Sequence, residues 1–193
     1  MARWKPDARQ RLVVEALKLF AEQGFDETTV AQIAERAGLT RSTFHRHFAD
    51  KRDILTAGQE TLSRLLAEGI AEAPAGATPL DAVAAGLDRA SSSMTEFNRE
   101  LSPLIDAAIA ANDEFRARNA MKAVGMAAAM DDALVARGVP GPVARLAAEM
   151  GVVAFSTGFR GWVDPAEGEE PGELRDRTAA AFAELREAAA TLG

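Results

Sequence analysis

The sequence predicts an all-α fold: a small N-terminal three-helix domain built on a helix-turn-helix, followed by a larger helical C-terminal domain. Three observations carry this. Alanine and leucine are abundant and β-branched residues sparse. No segment sustains the every-second-residue apolar alternation of a half-buried strand. Helix start and stop signals instead punctuate the chain, closely spaced before residue 50 and widely spaced after it.

The first helix is marked by Leu12, Val13, Ala16, Leu17, Leu19 and Phe20, and "EQGF" ends it with Gly24 as the C-terminal glycine. Thr29 opens a second, short helix. "TVAQ" is a capping box, with Gln32 able to reach back to the cap, and Val30, Ile33, Ala34 and Ala37 form the inner face. Gly38 breaks this helix, because glycine enters the left-handed turn without steric cost. Thr40 is a second N-cap, and "RSTFHRHF" a third short helix. Asp50 caps a fourth, running to about residue 72. After the loop "APAGATP", Thr78 and Pro79 start a helix expected to reach about Phe97. A broken segment containing Pro103 is expected next, then a long helix from near Asp113 to Arg137. "RGVPGP" is a stop and restart. The last two helices are expected at about residues 142–163 and 172–191, separated by the acidic loop "DPAEGEEPG". The expected domains are residues 1–56 and 57–193.

Composition narrows the classes of function. The chain has no cysteine, which excludes a disulfide framework, a thiol nucleophile and a Cys-ligated zinc, and fits a reducing cytoplasm. The opening "MARWKPDARQR" leads into no apolar run, so no secretory signal and no membrane role are expected. The formal net charge of -7 is unevenly placed. Residues 1–60 carry 10 Lys+Arg against 9 Asp+Glu, and residues 61–193 carry 12 against 20. Within the first part the basic residues are bunched: Arg3, Lys5, Arg9 and Arg11, then Arg41, Arg46, Lys51 and Arg52. Two such clusters on a near-neutral segment are the footprint of a polyanion-binding surface.

The third helix carries the second cluster. Phe44 and Phe48, four apart, form its apolar face, and at about 100° per residue Ser42, Thr43, His45, Arg46 and Ala49 spread over the other side. A helix with that face fits the DNA major groove. Arg46 suits guanine or phosphate, Ser42 and Thr43 suit base edges or phosphate, and His47 lies nearer the flank. Lys51 and Arg52 are expected at phosphate beside the next helix start. Thr29, Thr40 and Arg41 complete the candidate DNA-binding set. No catalytic or metal site is expected. His45 and His47, two apart, lie about 200° from each other on a helix and cannot chelate one ion, and no third histidine exists. The loop "EGEEPGE" lacks the lysine of a phosphate loop, and no nucleophile elbow is present.

The run "ALKLFAEQGFDETTVAQIAERAGLTRSTFHRHFADKRDIL" resembles the N-terminal DNA-binding domain of the TetR family of bacterial transcriptional regulators. The resemblance implies a cytoplasmic homodimer whose third helix reads the major groove of a pseudopalindromic DNA operator, without a cofactor. It implies a C-terminal effector-binding and dimerisation domain, whose small-molecule ligand releases the protein from DNA, making it a repressor. One departure stands out: His45 and His47 occupy positions where family members often carry tyrosine, and this chain has no tyrosine. An imidazole still donates a hydrogen bond, and adds charge when protonated.

The resemblance also implies that the last two helices form a four-helix bundle across the dimer axis, with Val143, Leu146, Met150, Phe182 and Leu185 as interface residues. Candidate effector-pocket residues are Met94, Phe97, Leu101, Ile105, Met121, Val124, Phe155 and Phe159, a methionine-rich apolar set suited to a lipophilic or aromatic ligand. The acidic charge of the C-terminal part weighs against a strongly anionic one. Two other readings keep the fold: a DNA-binding activator or ligand-independent regulator, and a helical protein-interaction module. The bunched basic residues weigh against the module.

Overall fold

A computed structural model describes residues 7–192, apart from the side chains of residues 55–57, 114, 115, 117, 118 and 120. Arg3 and Lys5 of the first basic cluster lie outside the described residues. Among the described residues the chain forms nine helices and no strand: α1 (Ala8–Gln23), α2 (Val30–Arg36), α3 (Arg41–His47), α4 (Asp53–Glu72), α5 (Pro79–Ser92), α6 (Glu96–Ala111), α7 (Asp113–Ala136), α8 (Gly141–Val163) and α9 (Leu174–Ala190). They divide into two compact units, Met1–Gly58 with Glu100–Ala120, and Gln59–Arg99 with Met121–Gly193.

In the first unit, α1, α2 and α3 pack against one another in pairs. A capping box starts α1: the Gln10 N–H donates to Asp7 and the Asp7 N–H donates to the Gln10 side chain, each at 2.9 Å. Leu12, Ala16, Leu19 and Phe20 form its buried stripe. The chain leaves α1 through Gly24 at φ 87, whose N–H donates to the Phe20 carbonyl. The Thr29–Gln32 capping box of α2 forms as expected. Gly38 turns at φ 65 between α2 and α3. Here a residue from the first basic cluster has a structural task. The Arg11 guanidinium donates to the Ala37 carbonyl and so caps the C-terminus of α2. Arg9 stacks 5.2 Å from the centroid of Phe48. Phe44 and Phe48 are both buried, which seats α3 against α1 and α2.

The start of α4 is a reciprocal cap. Asp50 Oδ1 accepts from the N–H groups of Arg52 at 2.6 Å and Asp53 at 3.2 Å, and Asp53 Oδ2 accepts from the Ala49 N–H at 2.6 Å. At the other end, one guanidinium closes the helix. Arg137 donates to the carbonyls of Ile70 (3.1 Å), Ala71 (3.2 Å), Ala73 (2.8 Å) and Pro74 (2.6 Å), in the position that the negative end of the helix dipole favours.

Two expectations for the middle of the chain need correction. The helix begun at Pro79 ends at Ser92, not near Phe97, because the Ser93 N–H and hydroxyl both turn back to the Ala90 carbonyl. The segment around Pro103 is not broken: α6 runs through it from Glu96 to Ala111. Proline costs a helix interior about 3 kcal/mol. Leu101, Ser102 and Ala108, all buried, supply the packing that offsets it.

The core of the second unit gathers Leu62, Leu66 and Ile70 of α4, Val83 and Leu87 of α5, Met126, Met130 and Leu134 of α7, Val152, Phe155 and Trp162 of α8, and Leu174 and Phe182 of α9. Small residues set the closest crossings. A Cβ on Gly158 of α8 would lie 2.7 Å from the Thr178 backbone of α9. Thr178, itself buried, accepts a hydrogen bond from the Ser91 hydroxyl at 3.3 Å. The acidic loop after α8 is tied down by Arg177 Nε to the Pro171 carbonyl (2.6 Å) and by the Trp162 indole N–H to the Gly172 carbonyl (3.2 Å).

Candidate functional site

The candidate nucleic-acid surface is α3 with its two flanks. Arg41, Ser42, His45, Arg46 and His47 are exposed and Thr43 is half-buried, so the polar residues of "RSTFHRH" stand out from a helix whose Phe44 is buried. The Phe44 ring meets the His45 imidazole edge-on, with centroids 5.4 Å apart. Arg46 reaches back toward the Thr43 hydroxyl at 3.4 Å, a long contact that leaves most of its donors available.

Thr29 and Thr40 were expected to touch DNA. Their hydroxyls are already engaged within the protein. Thr29 Oγ1 accepts from the Gln32 N–H and lies 3.0 Å from Gln32 Oε1. Thr40 Oγ1 accepts from the Thr43 N–H at 3.1 Å and lies 3.0 Å from the Thr43 hydroxyl. Both residues are exposed, but their defined role here is to start α2 and α3.

Lys51 requires a correction. It was expected at phosphate, yet its ammonium donates to three carbonyls of the loop before α2: Phe25 at 2.6 Å, Thr28 at 2.9 Å and Asp26 at 3.1 Å. A lysine ammonium has three donors, and all three are accounted for. Arg52, one residue on, is exposed and forms no ion pair among the described residues.

The other cations of this segment show why the positive field is localised. Arg36 pairs with Glu15 at 3.1 Å and with Glu22, and Lys18 pairs with Glu15 at 2.8 Å. The guanidinium of Arg36 holds the Glu22 carboxyl below the usual carboxylate range. The acidic residues of α1 therefore neutralise cations away from α3. Arg41, Arg46 and Arg52 are left without ion-pair partners among the described residues. Charge counting alone could not separate these groups.

The expected effector-pocket residues do not form one set. Met121 and Val124 are 59% and 56% exposed and line no interior. Leu101 and Ile105 belong to the first unit, whereas Met94, Phe97, Phe155 and Phe159 belong to the second. Phe155 is buried in the core cluster, with Met94 and Phe159 packed at its edge. A cleft of about 140 Å³ in the second unit lies along α5 and α9, lined by Leu87, Asp88, Arg175, Thr178, Phe182 and Arg186 among others, and includes none of the expected pocket residues. It is smaller than the roughly 300 Å³ at which small-molecule pockets begin.

Of the expected interface residues, Phe182 is corrected: it is 3% exposed and belongs to the core of its own unit. Leu185 is half-buried against the same cluster. Val143 and Leu146 are 47% and 64% exposed, and with half-buried Met150 they form a stripe along α8. Val153, 48% exposed, extends it and was missed. Its spacing of three after Met150 was the available signal.

Residues 12–57 match the family model for bacterial regulatory proteins of the tetR family. The chain is 39% identical over 75 residues to the HTH-type transcriptional regulator TcmR of Streptomyces glaucescens, covering 39% of this chain and 33% of that protein. It is 40% identical over 50 residues to the HTH-type regulator AcrR of Shigella flexneri, covering 26% and 23%. The matched stretch thus spans a third or less of the length of these relatives. In overall fold the chain is similar to a putative TetR-family transcriptional regulator from Mesorhizobium loti, with a TM-score of 0.51, 19% identity and coverage of 93% and 96%. It is equally similar to a putative transcriptional regulator from Pseudomonas aeruginosa PAO1, with a TM-score of 0.51, 19% identity and coverage of 95% and 93%. At that identity the likeness is one of fold.

Proposed function

We propose, with residues 12–57 as a DNA-binding domain of the bacterial tetR family, that this chain is a sequence-specific transcriptional regulator, a repressor released from its operator by a small effector. The observation that carries the reading is the charge economy of the first unit: α1 and α2 pair or cap most of their cations, while Arg41, Arg46 and Arg52 remain open on and beside α3. A surface so arranged favours a polyanion through phosphate charge and presents Ser42, His45 and Arg46 to base edges. The protein works in the cytoplasm as a homodimer and has no catalytic role. Residues 1–56 serve DNA, and residues 57–193 serve dimerisation and the effector.

Dimerisation is assigned to the α8 stripe of Val143, Leu146, Met150 and Val153, with Leu185 of α9. A two-fold dimer matches a pseudopalindrome because its two recognition helices then meet half-sites about 34–36 Å apart. Release requires an effector that binds the DNA-incompetent state more tightly than the competent one. The test is selection of bound DNA from a random pool, followed by footprinting and a gel-shift series with Arg46→Ala. An enriched pseudopalindrome that the variant binds about 1–3 kcal/mol more weakly supports the reading. No enrichment over a scrambled pool would leave the helical protein-interaction reading in its place.

A further inference from the structure

Among the described residues, Lys122 of α7 is a cation with no ion-pair partner inside the second unit. It is the sole lysine after Lys51. Its ammonium stands 5.4 Å from the centroid of the Phe159 ring. Phe159 belongs to an aromatic row on α8: it stacks on Phe155 at 6.0 Å and 17°, and tilts against Trp162 at 5.9 Å. Lys122 is half-buried, and loss of solvation holds its pKa below the ordinary lysine value with no carboxylate opposing that shift.

The absence of a partner is informative because carboxylates are plentiful here. Several of those in the second unit are taken by arginines: Glu68 by Arg64 and Arg89, Glu72 by Arg89, Asp81 by Arg186, Asp88 by Arg175 and Asp131 by Arg145. Arg99, the other cation on the aromatic row at 5.8 Å from Trp162, pairs with Glu96 at 3.0 Å. Among the described residues Lys122 alone faces this row as an uncompensated charge. A desolvated ammonium held only against a ring face is under-compensated, and an anion placed there recovers what burial costs.

We propose that the effector of the second unit is a monoanion with a lipophilic or aromatic body, its carboxylate or sulfonate pairing with Lys122 and its apolar part lying against Phe159. This rests on the effector-domain reading above and revises the expectation that the acidic C-terminal part disfavours anions. Net charge acts at long range and is screened, whereas the ion pair is local and shielded. One open cation on the aromatic row fits one negative charge.

Two fluorescent probes of nearly the same shape test this: anilinonaphthalene sulfonate and its uncharged counterpart phenylnaphthylamine, titrated into the full-length protein. The expected result is that Lys122→Met and Lys122→Gln weaken the sulfonate probe about tenfold or more, in line with a lost charge-assisted contact. Lys122→Arg should retain its binding, and the neutral probe should bind all four proteins alike. Sulfonate binding indifferent to Lys122→Met, or an equal loss for both probes, would overturn the proposal. If the neutral probe bound the wild type and the sulfonate did not, the anionic class would fall while the lipophilic effector reading stood. Binding of neither would remove both.

Discussion

Lys51 Nζ lies 2.6 Å from the Phe25 carbonyl oxygen and 4.3 Å from the centroid of the Phe25 ring. A residue at the start of α4 thereby clamps the loop that delivers α2. With the Thr28 and Asp26 carbonyls also engaged, the ammonium gathers three oxygens of one loop, adding to the single bond from the Thr28 N–H to the Phe25 carbonyl at 3.2 Å. Lys51→Met should therefore destabilise the first unit by about 1.5–3 kcal/mol, the range for hydrogen bonds to a charged group. Denaturant unfolding measures it directly. The salt slope of DNA binding separates the roles of neighbours: Arg52→Ala should flatten it by about one unit, and Lys51→Met should leave it unchanged. A reversed pattern would return Lys51 to the phosphate.

That clamp also marks the limit of what the sequence reveals. The Thr29–Gln32 box, the Gly38 turn and the Phe44–Phe48 stripe were legible because each is a local pattern within four residues. Lys51, Arg11 and Arg137 were not, because their partners are carbonyls 23 to 67 residues away. A charge cluster on paper does not say which cations cap helices and which face solvent. Pro103 misled for the opposite reason, since a strong local breaker was overridden by burial of Leu101 and Ala108. Phe182 was expected at an interface because the family resemblance points to α9 as a whole and does not distinguish its inner face from its outer one.

The α4–α5 crossing depends on two glycines. A Cβ on Gly69 would lie 2.7 Å from the Ala85 carbonyl and Gly86 Cα, and one on Gly86 would lie 2.7 Å from the Leu66 carbonyl. Backbone atoms cannot swing aside as a side-chain tip can. Gly69→Ala and Gly86→Ala should each destabilise by about 1–3 kcal/mol, overriding the helix-propensity gain of alanine. Gly125 in α7 is the control: its Cβ would meet only Ser63 Oγ at 3.8 Å, so Gly125→Ala should stabilise by about 0.5–1 kcal/mol. Thermal unfolding of the three variants reads the opposite signs.

Leu146 and Phe182 separate association from folding. Leu146 is 64% exposed within one chain, so Leu146→Glu should leave the monomer folded and shift sedimentation from dimer to monomer, with operator affinity falling alongside. Phe182 is 3% exposed, so Phe182→Ala should cost about 3–5 kcal/mol of stability by leaving a cavity, whatever the oligomeric state. A Leu146→Glu protein that remained dimeric would move the interface off the α8 stripe.

Lys122 gives a pH dependence with a definite sign. Its folded pKa lies below the ordinary value of 10.5 because burial disfavours the charged form. Between those two values the unfolded chain binds more protons than the folded one, so the stability of the wild type rises with pH across that window. Below the window both states are charged and the full burial penalty persists; above it both are neutral and the penalty is gone. Lys122→Met never carries the penalty. The stability of the variant minus that of the wild type should thus be constant near neutral pH and decline as pH rises toward 10.5. The chain has no tyrosine to confuse the reading. Denaturant midpoints at fixed ionic strength supply the difference curve. A curve that climbed with pH would mean that a carboxylate compensates Lys122 in solution, which would also leave no open charge for an anionic effector.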